Sequence, residues 1–177
     1  MRIISGKFKN RKINSIDGVK TRPLCNNIQE ALFNILRDVE DVDVLELYAG
    51  FGLFSWEAIS RGAKSSVFVE KSRKMVEKIK KTGEALDVLN QITVVQKDIF
   101  KGLTFEKESF NLIFADPPFY LDLCSKTIEL VMNSGWLKKN GIFVIRHYEK
   151  ENIISDFSPI LEKIYSESVI KFYKKSS

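Results

Sequence analysis

The chain has 177 residues, 44% hydrophobic and 29% charged, which is the balance of one ordinary folded domain and excludes a disordered or collagen-like chain. Its longest apolar runs fall far short of the ~20 residues needed to cross a bilayer, and Met1–Lys7 carries no apolar stretch of signal-peptide length. Cys25, Cys124 and the single His147 show no metal-ligand spacing, so the expectation is a cytoplasmic protein with reduced thiols and no metal, monomeric by default. The net charge of +5 is unevenly spread. Residues 1–26 hold Arg2, Lys7, Lys9, Arg11, Lys12, Lys20 and Arg22 against Asp17 alone, while the remaining 151 residues hold 21 basic and 22 acidic side chains. A localised basic stretch is the footprint of nucleic-acid binding; a solvated tail is the plain alternative.

In chain order, residues 2–24 suggest short strands and turns, with a hairpin-type dipeptide at Asp17-Gly18 and Pro23 biasing Arg22 towards extended backbone. Residues 1–25 thus form a small basic β-extension. A helix over 26–38 follows, with Ile28, Ala31, Leu32 and Ile35 on one face and Asn27 with Glu30 resembling a capping pair. From residue 42 to 177 strands and helices alternate within what reads as one domain. Val42–Leu47 is the first strand, and a glycine-bearing turn leads to a helix from Leu53 to about Arg61. Ser65–Glu70 is the second strand, followed by a lysine-rich helix to about Leu86 with Met75, Ile79 and Leu86 towards the core. Gln91–Gln96 and Phe110–Ala115 are the third and fourth strands, Leu121–Met132 a helix, and Gly141–His147 a fifth strand. Ile160–Tyr165 and Val169–Tyr173 close the chain as a hairpin. The alternation predicts an α/β fold, a parallel sheet with helices on both faces, to which the hairpin adds an antiparallel edge.

Ligands in such sheets bind past the carboxyl ends of the strands, and four successive strand ends here carry acids: Glu46, Glu70, Asp98 and Asp116. Gly50 permits a tight turn and Gly52 a close approach of backbone to ligand; Ser55 breaks the dinucleotide pattern G-x-G-x-x-G. Glu70 can accept ribose hydroxyls, or can simply face solvent beside Lys71. Asp98 can accept from an adenine amine or cap the next turn. Asp116-Pro117-Pro118-Phe119 offers a carboxylate, carbonyls and a ring together. That set suits a flat base with an exocyclic amino group, although Asp-Pro also makes plain turns. Trp56 and Trp136 are expected in the core, Cys25 and Cys124 as packing residues, and His147 as a strand-end or surface residue.

Val44–Gly52, Glu70, Asp98 and Asp116-Pro117-Pro118-Phe119 resemble the motifs of class I S-adenosylmethionine-dependent methyltransferases, the last resembling the amino-methyltransferase signature. Arg2–Gly6, Arg11-Lys12, Thr21-Arg22-Pro23, Glu30–Leu36, Glu57–Ala63 and Gly135-Trp136-Leu137 are similar to the RsmD family, which methylates guanine N2 in 16S ribosomal RNA. The resemblance implies a Rossmann-like, mostly parallel seven-stranded sheet. It implies that Glu46, Tyr48, Ala49, Gly50, Phe51 and Gly52 hold the methionine part of S-adenosylmethionine, Glu70 its ribose, and Asp98 and Ile99 its adenine, with Lys71 also at the cofactor. Asp116 and Pro117, with Pro118, would grip the target amine, and Phe119 would stack on the base. The seven basic residues of the extension would contact 16S ribosomal RNA, within an assembled or partly assembled small subunit. The chain departs from the family pattern at Leu24-Cys25-Asn26-Asn27, at Glu46 and at Phe51. A DNA amino-methyltransferase and a non-catalytic RNA-binding assembly protein are the alternatives.

Overall fold

The structure is a computed structural model and describes residues 1–15 and 24–175. Asp17-Gly18, Lys20 and Thr21-Arg22-Pro23 lie outside the described residues. Seven strands form one sheet in the order β3-β2-β1-β4-β5-β7-β6. They are β1 (Asp43–Leu47), β2 (Ser65–Glu70), β3 (Ile92–Gln96), β4 (Phe110–Ala115), β5 (Leu137–Tyr148), β6 (Leu161–Tyr165) and β7 (Ser168–Lys174). The first five are parallel, and β7 is antiparallel to both β5 and β6. The helices are α1 (Asn26–Leu36), α2 (Leu53–Ser60), α3 (Arg73–Leu86) and α4 (Cys124–Ser134). The parallel sheet and antiparallel edge are those expected from the alternation of elements. β1 and β4 are buried nearly throughout because both faces of the sheet are covered there.

Two apolar clusters separate the faces. One gathers Leu32, Phe33, Phe54, Trp56, Phe68 and Phe114, with stacked Phe33–Phe54 and Phe54–Phe114 rings. The other holds Leu45, Ile113, Ile128, Trp136 and Phe143. Both tryptophans are buried, as expected. Cys124 is buried too, but Cys25 is exposed and is not a packing residue. His147 is a strand-end residue but a buried one, accepting no surface role.

Several local expectations give way to tertiary packing. No side chain caps α1: Cys25 is its N-cap residue, so the Asn27–Glu30 pairing does not form. The helix stops at Leu36, where Arg37 turns to φ 60°. Its buried face is Ile28, Gln29, Leu32 and Phe33; Ile28 and Leu32 are as expected, while Ala31 and Ile35 are only partly buried because Gln29 and Phe33 turn towards α2. Helix α4 starts at Cys124 instead of Leu121: Tyr120 and Asp122 adopt positive φ after the two prolines, and the Glu151 carboxylate accepts from the Cys124 N–H (3.0 Å). The basic extension contains no strands among the described residues. It is a loop closed by a single antiparallel bridge between Arg2 and Lys12.

That loop is bolted to α2. The Ile4 and Ser5 N–H groups donate to the two oxygens of Glu57 (2.7 and 3.0 Å), and the Phe8 N–H donates to Ser60 Oγ (2.9 Å). Gln29 Nε2 and Arg61 Nε donate to the same Glu57 carboxylate (3.1 and 2.7 Å). Gly6 sits at φ +79° with its α-carbon so close that an added Cβ would lie 1.8 Å from the Ser60 carbonyl oxygen, so only glycine fits. Glu57 is fully buried and satisfies four donors, two of them belonging to the extension. Replacing Glu57 with Ala should lower unfolding stability by about 3 kcal/mol, because the donors and Arg61 lose their buried acceptor. The same variant should expose residues 3–8 to rapid amide exchange. Urea denaturation and hydrogen-exchange mass spectrometry read the two effects, and protection of that segment equal to wild type would contradict the anchoring role.

Candidate active site

The sheet register brings five strand ends abreast. Leu47 pairs with Val69 and Ala115, Glu70 with Gln96, and Ala115 with Ile145. The residues at or just beyond those positions, Tyr48, Glu70, Asp98, Asp116 and Arg146, all line one cavity of about 730 Å³, within the range of small-molecule and cofactor sites. Of the residues expected at the cofactor and the target base, Glu46, Tyr48, Ala49, Gly50, Phe51, Glu70, Lys71, Asp98, Ile99, Asp116, Pro117, Pro118 and Phe119 line it. Gly52 does not. It adopts φ +73°, and an added Cβ would stand 2.4 Å from the Phe68 ring. Its small size serves packing beneath the turn rather than approach to a ligand.

At the β1 end, Tyr48 (φ 56°), Gly50 (φ 55°) and Gly52 are all left-handed. For tyrosine this conformation is uncommon, and the Tyr48 hydroxyl is tethered at 2.9 Å to Thr127 Oγ1 on α4. Burial pushes the Tyr48 hydroxyl well above its ordinary value. Glu70 holds the turn shape: its Oε2 accepts from the Gly50 N–H and its Oε1 from the Ser72 N–H, both at 2.8 Å. A carboxylate has about four acceptor positions, so Glu70 can brace the turn and still receive two ligand hydroxyls. Asp98 Oδ1 accepts from the Phe100 N–H at 3.0 Å, making the turn cap, while the other oxygen remains for a ligand amine.

Glu46 is buried behind this wall, 4% exposed, and accepts from the Ser55 N–H at 3.0 Å. Burial pushes its carboxyl up to about 8; hydrogen bonds from Ser55 and Phe54 pull it down, and the charge of Asp116 adds to the rise. That upward shift favours the protonated carboxyl, and a cation placed beside it would favour the carboxylate.

The other wall is built around Asp116. Arg146, the residue beyond Ile145 on β5, is 3% exposed and places its Nε 2.8 Å from Asp116 Oδ1. Burial pushes the Asp116 carboxyl up, and the charge and hydrogen bond of Arg146 pull it back. The Arg146 guanidinium also lies over the Phe119 ring, 5.2 Å from its centroid. Tyr148 and Tyr120 extend the aromatic group, 5.7 and 6.2 Å from Phe119, and Tyr120 is 69% exposed at the mouth. Arg146, Tyr148 and Tyr120 were not singled out from the sequence. The fifth strand end was the available signal, but only its pairing with β4 makes Arg146 the neighbour of Asp116.

The lining fits an amphoteric ligand carrying an amine, a hydroxyl pair and a flat apolar part: it combines the carboxyl groups of Glu46, Glu70, Asp98 and Asp116 with apolar Phe51, Met75 and Ile99. Of the basic residues of the extension, Arg2, Lys7, Lys9, Arg11 and Lys12 stand on the loop docked to α2, outside the cavity lining; Lys20 and Arg22 lie outside the described residues.

Comparison with known proteins bears on this geometry. The family model described as conserved hypothetical protein 95 matches residues 1–174. A ribosomal RNA small subunit methyltransferase D from Buchnera aphidicola subsp. Baizongia pistaciae is 34% identical over 157 residues, covering 88% of this chain and 78% of that protein. The protein of the same name from Escherichia coli K12 is 29% identical over 182 residues, covering 100% and 91%. Among solved structures, an Escherichia coli chain described as a candidate methyltransferase aligns with a TM-score of 0.86 at 27% identity, covering 100% of this chain and 98% of that one. An RNA methyltransferase from Salinibacter ruber, solved with S-adenosyl-L-homocysteine, shares the fold at 14% identity, TM-score 0.68, covering 88% and 94%.

The Glu46 carboxyl generates a pH prediction. Its value rises from 4.5 to about 8 on folding, so between these limits the unfolded chain gives up a proton that the folded chain keeps. Wild-type stability should therefore fall as pH rises through that window, by on the order of a few kcal/mol relative to Glu46→Gln, which cannot titrate. Parallel pH–stability curves for the two proteins would show that Glu46 is ionised in the fold.

Proposed function

The chain belongs to the conserved hypothetical protein 95 family, the RsmD family, and from that premise we propose that it methylates a guanine N2 amino group in small-subunit ribosomal RNA, using S-adenosylmethionine. The observation that carries the chemistry is the Asp116–Arg146 pair beside Pro117 and Phe119 at the open side of the cavity. The methyltransferase reading is supported by the relatives in Buchnera aphidicola and Escherichia coli. The choice of guanine over adenine or cytosine rests on the family resemblance.

When bound, S-adenosylmethionine supplies an electrophilic methyl group on a sulfonium. The chain's own residues supply position and charge. Glu70 would receive the ribose hydroxyls, Asp98 the adenine amine with Ile99 against the ring, and the Tyr48–Phe51 turn with Glu46 the methionine end. Arrival of the ammonium would draw Glu46 into its ionised form, offsetting the desolvation that keeps it protonated. At the other wall, Asp116 Oδ2 and the Pro117 carbonyl would accept from the target amine. An exocyclic amine is a poor nucleophile because its lone pair is spread into the ring. Two acceptors on its hydrogens favour a pyramidal nitrogen whose lone pair faces the methyl group, which is catalysis by orientation and electrostatics. Arg146, by its charge and hydrogen bond, opposes the rise that burial gives the Asp116 carboxyl, and holds the carboxylate and the Phe119 ring beside one another. The base must leave its stack to reach this wall, at a cost of about a few kcal/mol, and the exposed Tyr120 and the Phe119 ring offer replacement stacking.

Asp116→Asn is the informative variant, since it keeps volume beside the buried guanidinium but replaces acceptor by donor. The expected outcome is a loss of roughly 10²–10³-fold in kcat for transfer of labelled methyl to small ribosomal subunits. S-adenosylmethionine affinity, read by calorimetry, should change by less than about 3-fold. Transfer at the wild-type rate would rule out the mechanism. Arg146→Met removes the group that lowers the Asp116 carboxyl, so the acid limb of the kcat–pH profile should move to higher pH. An unmoved limb with reduced rate would limit Arg146 to a structural part.

A further inference from the structure

On the far side of the Glu57 anchor, the basic loop meets α3. A cleft of about 130 Å³ lies between them, lined by Arg11, Lys12 and Asn14 from the loop and by Lys78, Lys81 and Thr82 from the helix. We propose that this cleft is a phosphodiester-binding site, which grips the RNA backbone away from the catalytic cavity. The inference rests on the proposed RNA substrate and extends it, because the lysines of α3 carry half of the site.

Three observations converge on it. First, four cations from segments some 65 residues apart are brought around one concavity, and none of the four takes part in an ion pair among the described residues. Unneutralised like charges repel one another, and a cleft focuses their field on an incoming anion. Second, the cleft is held in shape. Ile13, in its floor, is 2% exposed, the Ile13 N–H donates to the Met1 carbonyl (3.0 Å), and Lys7 Nζ donates to Gln91 Oε1 (3.4 Å), the residue that ends the turn after α3. Third, α3 connects cleft and cavity. Met75 lines the cavity and Lys81 the cleft, six residues apart and so about 9 Å along the axis at 1.5 Å per residue. Lys78 and Lys81, at i and i+3, share the helix face turned to the loop. The flanking Asn14 amide can add a donor to the coordination of phosphate oxygens.

The partner is a polyanionic strand rather than a free nucleotide. No aromatic side chain lines the cleft to stack on a base, and the four cations suit successive phosphates. Such contacts position a substrate and carry no sequence preference. They should raise affinity for any small-subunit RNA while leaving the choice of base to the cavity.

The test compares Lys78→Gln/Lys81→Gln with Lys163→Gln/Lys174→Gln, which removes the same charge from exposed positions at the opposite sheet edge. Filter binding of naked small-subunit ribosomal RNA would be measured from roughly 50 to 200 mM salt. The cleft variant should bind on the order of 10-fold more weakly at low salt, and its log K against log[salt] slope should shrink by about 1.5, two phosphate contacts' worth. Its KM for RNA should rise with kcat unchanged. Arg11→Gln/Lys12→Gln, on the facing wall, should behave alike, and the edge variant like wild type. Equal losses in cleft and edge variants would reduce the effect to net charge and overturn the site, as would no loss in either. If wild type methylates the RNA yet the cleft variants keep its slope, this inference fails alone. If wild type neither binds nor methylates RNA, the proposed function fails with it.

Discussion

The Asp116–Arg146 ion pair sets the electrostatic balance of the cavity. Glu46, Glu70, Asp98 and Asp116 face one volume from four strand ends, and four ionised carboxylates in a partly desolvated site would repel strongly. Two devices relieve this. Arg146, buried on the adjacent strand, neutralises Asp116 at 2.8 Å, and Glu46 holds its proton, its carboxyl raised to about 8. Glu70 and Asp98 remain as the carboxylates of the other side, where Lys71 and Lys97 also stand in the lining. In the proposed function that side takes the cationic, hydroxyl-bearing cofactor and the Asp116–Arg146 side a neutral base.

A second buried carboxylate organises the rest of the molecule in the same physical terms. Glu57 ties the basic loop, α1 and α2 together through four donors. The loop's position beside α3 then places Arg11 and Lys12 opposite Lys78 and Lys81. The cavity and the basic surface are thus joined through packed secondary structure, with α3 lining both and α2 lining the cavity while it anchors the loop. A substrate held at the cleft and at the cavity would be positioned by rigid elements rather than by mobile side chains.

Much of this was legible in the sequence, for reasons that particular residues make clear. Apolar runs bounded by turn residues gave β2 and β4 their observed limits, Ser65–Glu70 and Phe110–Ala115. The acids at successive strand ends pointed to one cavity, since parallel strands put their carboxyl ends on one side. Local chemistry was less reliable where tertiary contacts competed with it. Asn27 was available as a cap, yet Gln29 and Phe33 turned α1 towards α2. Gly52 carried the mark of a ligand turn but answers to Phe68. The pairing of Arg146 with Asp116 and the docking of the basic loop on Glu57 could not be found locally: the residues joined lie 30 and more than 50 positions apart. Their roles follow from strand register and loop docking, which a linear pattern of apolar residues does not encode.

The most direct test of the account identifies the atom that receives the methyl group. Small ribosomal subunits from cells lacking this protein would be incubated with it and with methyl-labelled S-adenosylmethionine, and the RNA digested to nucleosides. The account predicts that the label elutes as N2-methylguanosine. Label on a ring carbon, a ring nitrogen or a ribose oxygen would contradict it, because the proposed pair of acceptors, the Asp116 carboxylate and the Pro117 carbonyl, calls for a group with two hydrogens to donate, as an exocyclic amine has.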